Sequence, residues 1–212
     1  MKVNNFWAGM RPPRREFLMG SASTIAGLSI LPQVAWGQSP VSGGILRVSS
    51  GGDPPDFDLH QTTTYRTQHF GAPCYSALMR VNPDNRSELM PDLATGYDIS
   101  DDGLVVTFSI REGVKFHDGS DLTADDVVYS LNRIKAPPSG IVSPRRGLLG
   151  NVETIEAVDP YTVAITLAQA QADFPFLVCN PFNVIFSKAV GEPLDAEGIG
   201  MKRQIVGTGA FR

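Results

Sequence analysis

The sequence has few of the side chains from which disulfide and metal sites are built. Its 212 residues include two cysteines and three histidines. Two cysteines are too few for a disulfide scaffold or for a four-cysteine zinc site. No two histidines stand at the i, i+4 spacing of a zinc-binding helix, and no His-Glu-x-x-His motif occurs. We therefore expect no metal centre.

Strong positive charge and long apolar runs are also lacking. The formal net charge is −4, so the chain offers no strongly basic face and nucleic acid is an unsuitable partner. No run of about 18 apolar residues occurs, so the sequence predicts no membrane-spanning helix. Hydrophobic residues make up 42% of the chain, which is enough for a packed core.

Signatures of catalysis are missing as well. The chain has no Gly-x-Ser-x-Gly elbow, no phosphate-binding P-loop and no complete dinucleotide fingerprint. Cys179 ends an apolar run, so a buried, inert thiol is a better interpretation than a nucleophile. We expect no enzymatic activity and no cofactor. The sequence leaves open whether Cys74 and Cys179 pair outside the cytoplasm or remain two free thiols.

The first 37 residues, in contrast, have the pattern of an export signal. Arg14 and Arg15 precede Phe17 and Leu18, which begin an apolar stretch that runs to residue 31. That stretch has the length of a signal-peptide core and is too short to span a bilayer comfortably. The arginine pair resembles the twin-arginine export signal, and the alternative is an ordinary secretory signal with a basic start.

Cleavage is predicted between Gly37 and Gln38, because small residues stand at positions 35 and 37. The first cysteine comes only at position 74, so we expect no lipid anchor at the new N-terminus. With either type of signal the mature chain, residues 38–212, leaves the cytoplasm. We therefore expect a soluble protein outside the cytoplasm.

Strand and helix periodicities are mixed along the mature chain. Two hairpins are predicted from apolar residues that alternate with polar ones on either side of a short turn. A helix is predicted where Thr123 can act as N-cap and Asp126 as the acid of a capping box. Hairpins together with helices predict an α/β chain. The predicted elements are a strand over 45–49, a helix within 65–80, hairpins over 97–110 and 154–167, and a helix from Ala124 to the stop at Pro137 and Pro138.

One long stretch carries a family resemblance. Residues 104–134, LVVTFSIREGVKFHDGSDLTADDVVYSLNRI, resemble the signature region of the family 5 extracellular solute-binding proteins. These are the periplasmic dipeptide-, oligopeptide- and nickel-binding components of ABC importers. The resemblance implies a type II periplasmic-binding-protein fold, in which two lobes close over a solute. Shorter segments that fit the same family are 91–94, 100–103, 158–163 and 206–209.

The resemblance also implies a length and a function. Family members are more than twice as long, and the sequence stops on a glycine-rich turn, so we expect an N-terminal fragment that carries the first lobe. The implied function is capture of a peptide or a similar small solute for the permease of an ABC importer in the inner membrane. Two alternatives remain: a nickel-, opine- or sugar-binding member of the family, or a secreted hydrolase with its catalytic residues beyond residue 212.

Loops that follow strands are expected to face the solute, because ligands of open α/β sheets bind there. The turn 116–119, which contains His117, is interpreted as a local turn that positions the helix from Ala124 and not as a ligand site. Arg145 and Arg146 are interpreted as a solvated turn rather than an anion site. The predicted ligand-binding residues are Gly51, Gly52, Asp53, Thr64, Tyr65 and Arg66.

Overall fold

The structure is a computed structural model that describes residue 49 and residues 51–211. The predicted export signal, its cleavage point and all but the last residue of the predicted first strand lie outside this range. Within it, no helix is long and apolar enough to cross a membrane.

Short helices and strands follow one another along the described chain, with two 3-10 turns between them. The turns span Ala72–Cys74 and Arg146–Leu149. In chain order the elements are α1 (Tyr65–Gly71), β1 (Met79–Val81), β2 (Leu89–Pro91), β3 (Ala94–Ile99), β4 (Val105–Ile110), α2 (Ala124–Lys135), β5 (Val152–Asp159), β6 (Thr162–Leu167), α3 (Phe174–Val178) and α4 (Lys188–Ala196).

Four antiparallel strands form the main sheet, in the order β3-β4-β6-β5. The two inner strands bury every second side chain: Val106 and Phe108 on β4, and Val163 and Ile165 on β6, are fully buried. Phe108 lies opposite Tyr97 on β3 and opposite Val163 on β6. Both predicted hairpins are confirmed, because β3 pairs with β4 and β5 pairs with β6.

Helix α2 begins where the sequence predicts and packs one face on the sheet. The carboxylate of Asp126 accepts a hydrogen bond from the backbone N–H of Thr123 at 2.9 Å, as a capping box requires. Val127, Leu131 and Ile134 lie on one side of the helix and are buried towards β5 and β6. The helix ends just before the two prolines, so this prediction is confirmed.

The predicted helix within residues 65–80 is only partly correct. α1 ends at Gly71, where an added Cβ would lie 2.5 Å from Cδ1 of Leu59. Pro73 then removes the backbone N–H that a continuing helix would need. Met79 instead begins β1, which pairs with β2. The helical interpretation of the second half of this segment is therefore wrong.

Two hydrophobic clusters form the interior of the described chain. The larger lies between the main sheet and α2. The smaller contains Leu59, from the loop that precedes α1, together with Tyr75, Phe186 and Met201.

Cys74 and Cys179 are both buried and both free. The alternative that the sequence leaves open is thus decided in favour of two separate thiols. Burial raises the pKa of the Cys179 thiol to about 12, so this side chain stays protonated at neutral pH and is a poor nucleophile.

His117 joins two distant parts of the chain. Its Nδ1 accepts a hydrogen bond from the Gly207 N–H at 3.3 Å, so Nε2 carries the proton and donates to the Gly209 carbonyl at 2.9 Å. Its own N–H donates to the Gly207 carbonyl at 2.9 Å. A Cβ on Gly207 would lie 2.1 Å from the Cys74 carbonyl oxygen, so only glycine fits there. We call these contacts the His117 clamp, and they correct the expectation of a purely local turn.

Candidate functional site

The residues predicted to face a solute come from loop 51–53 and from the start of α1. Thr64 is the N-cap of α1, and its Oγ1 accepts a hydrogen bond from the Arg66 N–H at 3.4 Å. The Arg66 side chain reaches back to the loop, since a Cβ on Gly52 would lie 3.2 Å from its Nη1. Gly52 has a φ of 143°, which favours glycine. The structure thus brings Gly52, Thr64 and Arg66 together.

Gly51 and Asp53 flank this contact without joining it. Both are exposed, and a Cβ on Gly51 would have no neighbour within 4 Å. The ion pairs among residues 51–211 include neither Asp53 nor Arg66. The Arg66 guanidinium therefore faces solvent with its charge unmatched by a carboxylate in the described part of the chain.

Tyr65 adds an exposed aromatic ring beside Arg66 in the first turn of α1. It is 69% exposed, and its ring centroid lies 6.2 Å from those of His69 and Phe182. Phe182 comes from the loop between α3 and α4 and is half-buried. We call the group Gly52, Tyr65, Arg66 and Phe182 the loop face.

Arg145 contacts Phe182 of the loop face and the turn before α1, contrary to the expectation of a solvated side chain. It is 8% exposed. Its Nη1 donates to the Thr62 carbonyl at 2.6 Å, and its Nη2 donates to the His60 carbonyl at 2.9 Å and to the Leu59 carbonyl. Its guanidinium lies 4.7 Å from the centroid of the Phe182 ring. The solvated-turn interpretation is wrong for Arg145, whose carbonyl partners lie 83 to 86 residues earlier in the chain. Arg146 is exposed, as expected.

A buried network of charges lies beside this turn. Arg133 donates to Asp58 at 2.6 and 3.1 Å and to Asp195 at 2.7 and 2.9 Å. The Tyr129 hydroxyl donates to Asp195 at 2.6 Å. The side chains of Arg133 and Asp58 are 0% exposed, and that of Asp195 is 3% exposed. With Arg145 nearby, two arginines balance two aspartates in this region.

Charge pairing fixes the protonation states of the network. Burial alone would raise the pKa of Asp58, but the hydrogen bonds and the charge of Arg133 outweigh burial and hold that pKa at about 2. Burial likewise works against the charge of Arg133, yet the two aspartates raise its pKa above the ordinary value. Burial and the hydrogen bond to Asp195 raise the pKa of Tyr129. At neutral pH the Arg133–Asp58 pair is therefore fully charged and Tyr129 is neutral.

His60 is held neutral in the same interior. Its Nε2 lies 2.8 Å from the Val184 carbonyl oxygen, which can only accept, so Nε2 carries the proton. Its ring lies 4.3 Å from that of Phe186. Burial and the nearby charge of Arg133 lower the pKa of His60 to about 3. A neutral histidine enclosed in this way is a structural residue rather than a general base.

The loop face offers a guanidinium and aromatic rings, which can bind a solute non-covalently. Residues 51–211 contain no group of three His, Cys, Asp or Glu side chains that could hold a metal ion. A cavity of about 520 Å³ is lined by residues that include Tyr75, Met79, Asp92 and Cys179, and the loop face contributes nothing to it. The loop face is thus an open surface of glycine backbone, one cation and two rings.

Sequence reasoning missed Phe182 and Arg145 as parts of this region. In the sequence Phe182 looks like any aromatic residue of a hydrophobic core, and nothing near it indicates that an exposed tyrosine will lie beside it. Arg145 stands beside another arginine after a proline, which is the usual pattern of a solvated loop. The carbonyl groups that Arg145 binds leave no trace in the side-chain sequence.

Comparison with known proteins assigns the chain to a family. The sequence model described as "Bacterial extracellular solute-binding proteins, family 5 Middle" matches residues 88–212. The chain belongs to this family. The matched stretch contains the main sheet, α2 and the His117 clamp, whereas the loop 51–53 and α1 precede it.

Individual relatives support the same assignment. Di/tripeptide-binding protein 2 of Pseudomonas aeruginosa (strain UCBPP-PA14) is 33% identical over 184 residues, which cover 78% of this chain and 34% of that protein. Periplasmic binding protein DppA from Helicobacter pylori, solved with the peptide STSA, superposes with a TM-score of 0.68 at 29% identity and covers 76% of this chain and 35% of its own. AgaA from A. tumefaciens R10, solved with agropinic acid, gives a TM-score of 0.67 at 27% identity over 76% of this chain and 31% of its own.

These likenesses confirm the predicted fold class, the α/β type II periplasmic-binding-protein fold. The relatives are binding proteins by their descriptions. The chain spans about a third of the length of each of them.

Proposed function

We propose that this protein captures a peptide or a similar small solute in the periplasm and delivers it to the permease of an ABC importer. The observation that carries the proposal is the loop face, in a family whose relatives include a di/tripeptide-binding protein and a peptide complex. The face offers groups that a peptide can bind.

Each part of the loop face matches one part of a peptide. Gly52 exposes backbone N–H and C=O groups without a side chain, so the main chain of a solute can approach closely. The free guanidinium of Arg66 can donate two parallel hydrogen bonds to a carboxylate. The exposed ring of Tyr65, next to Phe182, offers a flat apolar surface to a solute side chain.

An open face fits a protein that traps its solute by closure. A surface of this kind shields only one side of a small molecule, so tight binding requires a second surface to close over it. The proposal therefore includes closure of two lobes, of which the described residues provide one wall.

The proposed location rests on residues 1–37. Arg14 and Arg15 are proposed to direct export by the twin-arginine route, with cleavage before Gln38. Replacing both arginines by lysine should leave uncleaved precursor in the cytoplasm, as fractionation and blotting would show. Normal export and cleavage of this double variant would instead favour the ordinary secretory route.

Binding is tested by calorimetry on protein expressed from its own gene, so that any chain beyond residue 212 is present. We expect saturable binding of members of a di- and tripeptide set. Loss of one charge-assisted contact is worth about 1.5–3 kcal/mol, so Arg66→Gln should weaken binding by roughly tenfold or more. Arg86→Gln, on an exposed loop elsewhere, is the matched control. Absence of peptide binding by the wild-type protein would refute the proposal.

An opine is the second candidate solute, because AgaA was solved with agropinic acid and resembles this chain as closely in fold as DppA does. Agropinic acid should therefore be titrated beside the peptides. Chromatography of the peptides after incubation tests the hydrolase alternative, which requires cleavage products. Recovery of intact peptide from a saturable complex supports the binding protein.

A further inference from the structure

Arg145 is a buried cation whose hydrogen bonds go to one backbone turn. Its guanidinium donates to the carbonyl groups of Leu59, His60 and Thr62, and no carboxylate forms an ion pair with it among residues 51–211. Its Nε has no hydrogen-bond partner. Burial lowers the pKa of Arg145, and the charge of Asp58 opposes that shift. Burying a charge without a paired carboxylate costs free energy, so Arg145 must have a structural role that offsets it.

The geometry of the turn explains that role. Residues 58–62 leave carbonyl groups inside the protein, and buried carbonyl groups require donors. A planar guanidinium presents several N–H groups in a fixed fork, so one side chain can serve three carbonyls at once. The ammonium of a lysine is a point charge on a flexible stem and cannot reproduce this arrangement.

The same guanidinium also fixes an aromatic ring. It lies over the Phe182 ring at 4.7 Å, within the range of a cation–π contact. Phe182 in turn neighbours Tyr65, and the turn that Arg145 holds leads directly to Thr64, the N-cap of α1. One buried side chain thus connects both halves of the loop face, although they are far apart in the sequence.

We propose that Arg145 is the positioning residue of the loop face: it holds turn 58–62 and the Phe182 ring in one arrangement and so sets solute affinity without touching the solute. The inference rests on the proposed function and deepens it. Arg146, the next residue, is exposed and carries the same charge, so it provides a matched control.

The test compares Arg145→Lys with Arg146→Lys in protein expressed from its own gene. Arg145→Lys should weaken binding of the best dipeptide by about tenfold or more, which corresponds to ~1.4 kcal/mol. It should also speed amide hydrogen exchange in residues 58–66 while leaving exchange in the main sheet unchanged. Arg146→Lys should change neither. Equal affinities for the two variants, or faster exchange spread evenly over the chain, would overturn the proposal.

A second variant covers the case in which Arg145→Lys does not fold. Phe182→Leu removes the ring beneath Tyr65 and leaves all three carbonyl bonds intact. It should lower dipeptide affinity while exchange in turn 58–62 stays slow, and unchanged affinity would contradict the proposed link. If the wild-type protein binds no peptide, the proposed function fails, yet the exchange patterns of the two lysine variants still decide whether Arg145 positions the turn.

Discussion

Replacing Asp58 by Asn is expected to destabilise the protein severely, because both carboxylate oxygens face only donors. Oδ1 accepts from Arg133 Nη1 at 3.1 Å and from the His60 N–H at 3.1 Å. Oδ2 accepts from Arg133 Nη2 at 2.6 Å, from Gln61 Nε2 at 2.8 Å and from the Met201 N–H at 2.9 Å. An amide nitrogen at either position would therefore meet at least two donors.

The size of the effect follows from burial. Removing one partner of a buried ion pair costs about 3–5 kcal/mol, since the remaining charge is left uncompensated. The same chemical change at Asp121 is the control. Asp121 pairs with Lys115 at 2.5 Å, but both side chains are more than half exposed, and such a pair is worth about 0–1 kcal/mol.

Urea denaturation followed by circular dichroism measures both changes. With a slope of ~2 kcal/mol per molar urea, Asp58→Asn should lower the midpoint by roughly 2 M, and Asp121→Asn by less than about 0.5 M. The slopes of both variants should match the wild type, which would show that the unfolded states are alike. Equal midpoints for the two variants would refute the view that burial decides the cost.

Three further results are expected. The free energy of unfolding should fall by about 1 kcal/mol per pH unit as pH drops from about 6.5 towards 3, because the unfolded chain protonates His60 while the folded chain, with a pKa of about 3, does not. His60→Gln should flatten this dependence of stability on pH. An unchanged dependence in that variant would contradict the assignment of the effect to His60. Thr123→Ala should cost ~1 kcal/mol in denaturation, and an unaltered midpoint would show that the capping contact contributes nothing. Gly209→Ala should destabilise the protein strongly, because the new Cβ would lie 2.5 Å from the backbone carbonyl carbon of Cys74. Gly147→Ala should not, because a Cβ there has nothing within 4 Å. Similar melting curves for the two variants would argue against close packing at residue 209.

The elements that the sequence predicts correctly are those whose signals are local. The alternation of Val106 and Phe108 and the spacing of Val127, Leu131 and Ile134 each lie within a single element. Their burial follows from the geometry of one strand or one helix. The helix after Tyr65 is overestimated because apolar spacing outweighs the signals of Gly71 and Pro73, and because it does not reveal the close approach of Leu59 to Gly71, where the helix ends.

The buried charges could not be predicted, because their partners are distant in sequence. Arg133 binds Asp58, 75 residues earlier, and Asp195, 62 residues later. Arg145 binds backbone carbonyls, which every residue has. The loop between the predicted strand 45–49 and α1 could be chosen as a candidate site from chain order, but the aromatic ring of Phe182 reaches Tyr65 only through the tertiary fold.

The His117 clamp has a consequence for the timing of folding during synthesis. Its partners lie 90 and 92 residues further along the chain, and ribosomes add about 5–20 residues per second. His117 therefore waits roughly 5–20 seconds after it is made before it can close these hydrogen bonds. A chain exported in folded form would close the clamp in the cytoplasm, whereas a chain threaded unfolded through the membrane would close it only on the other side.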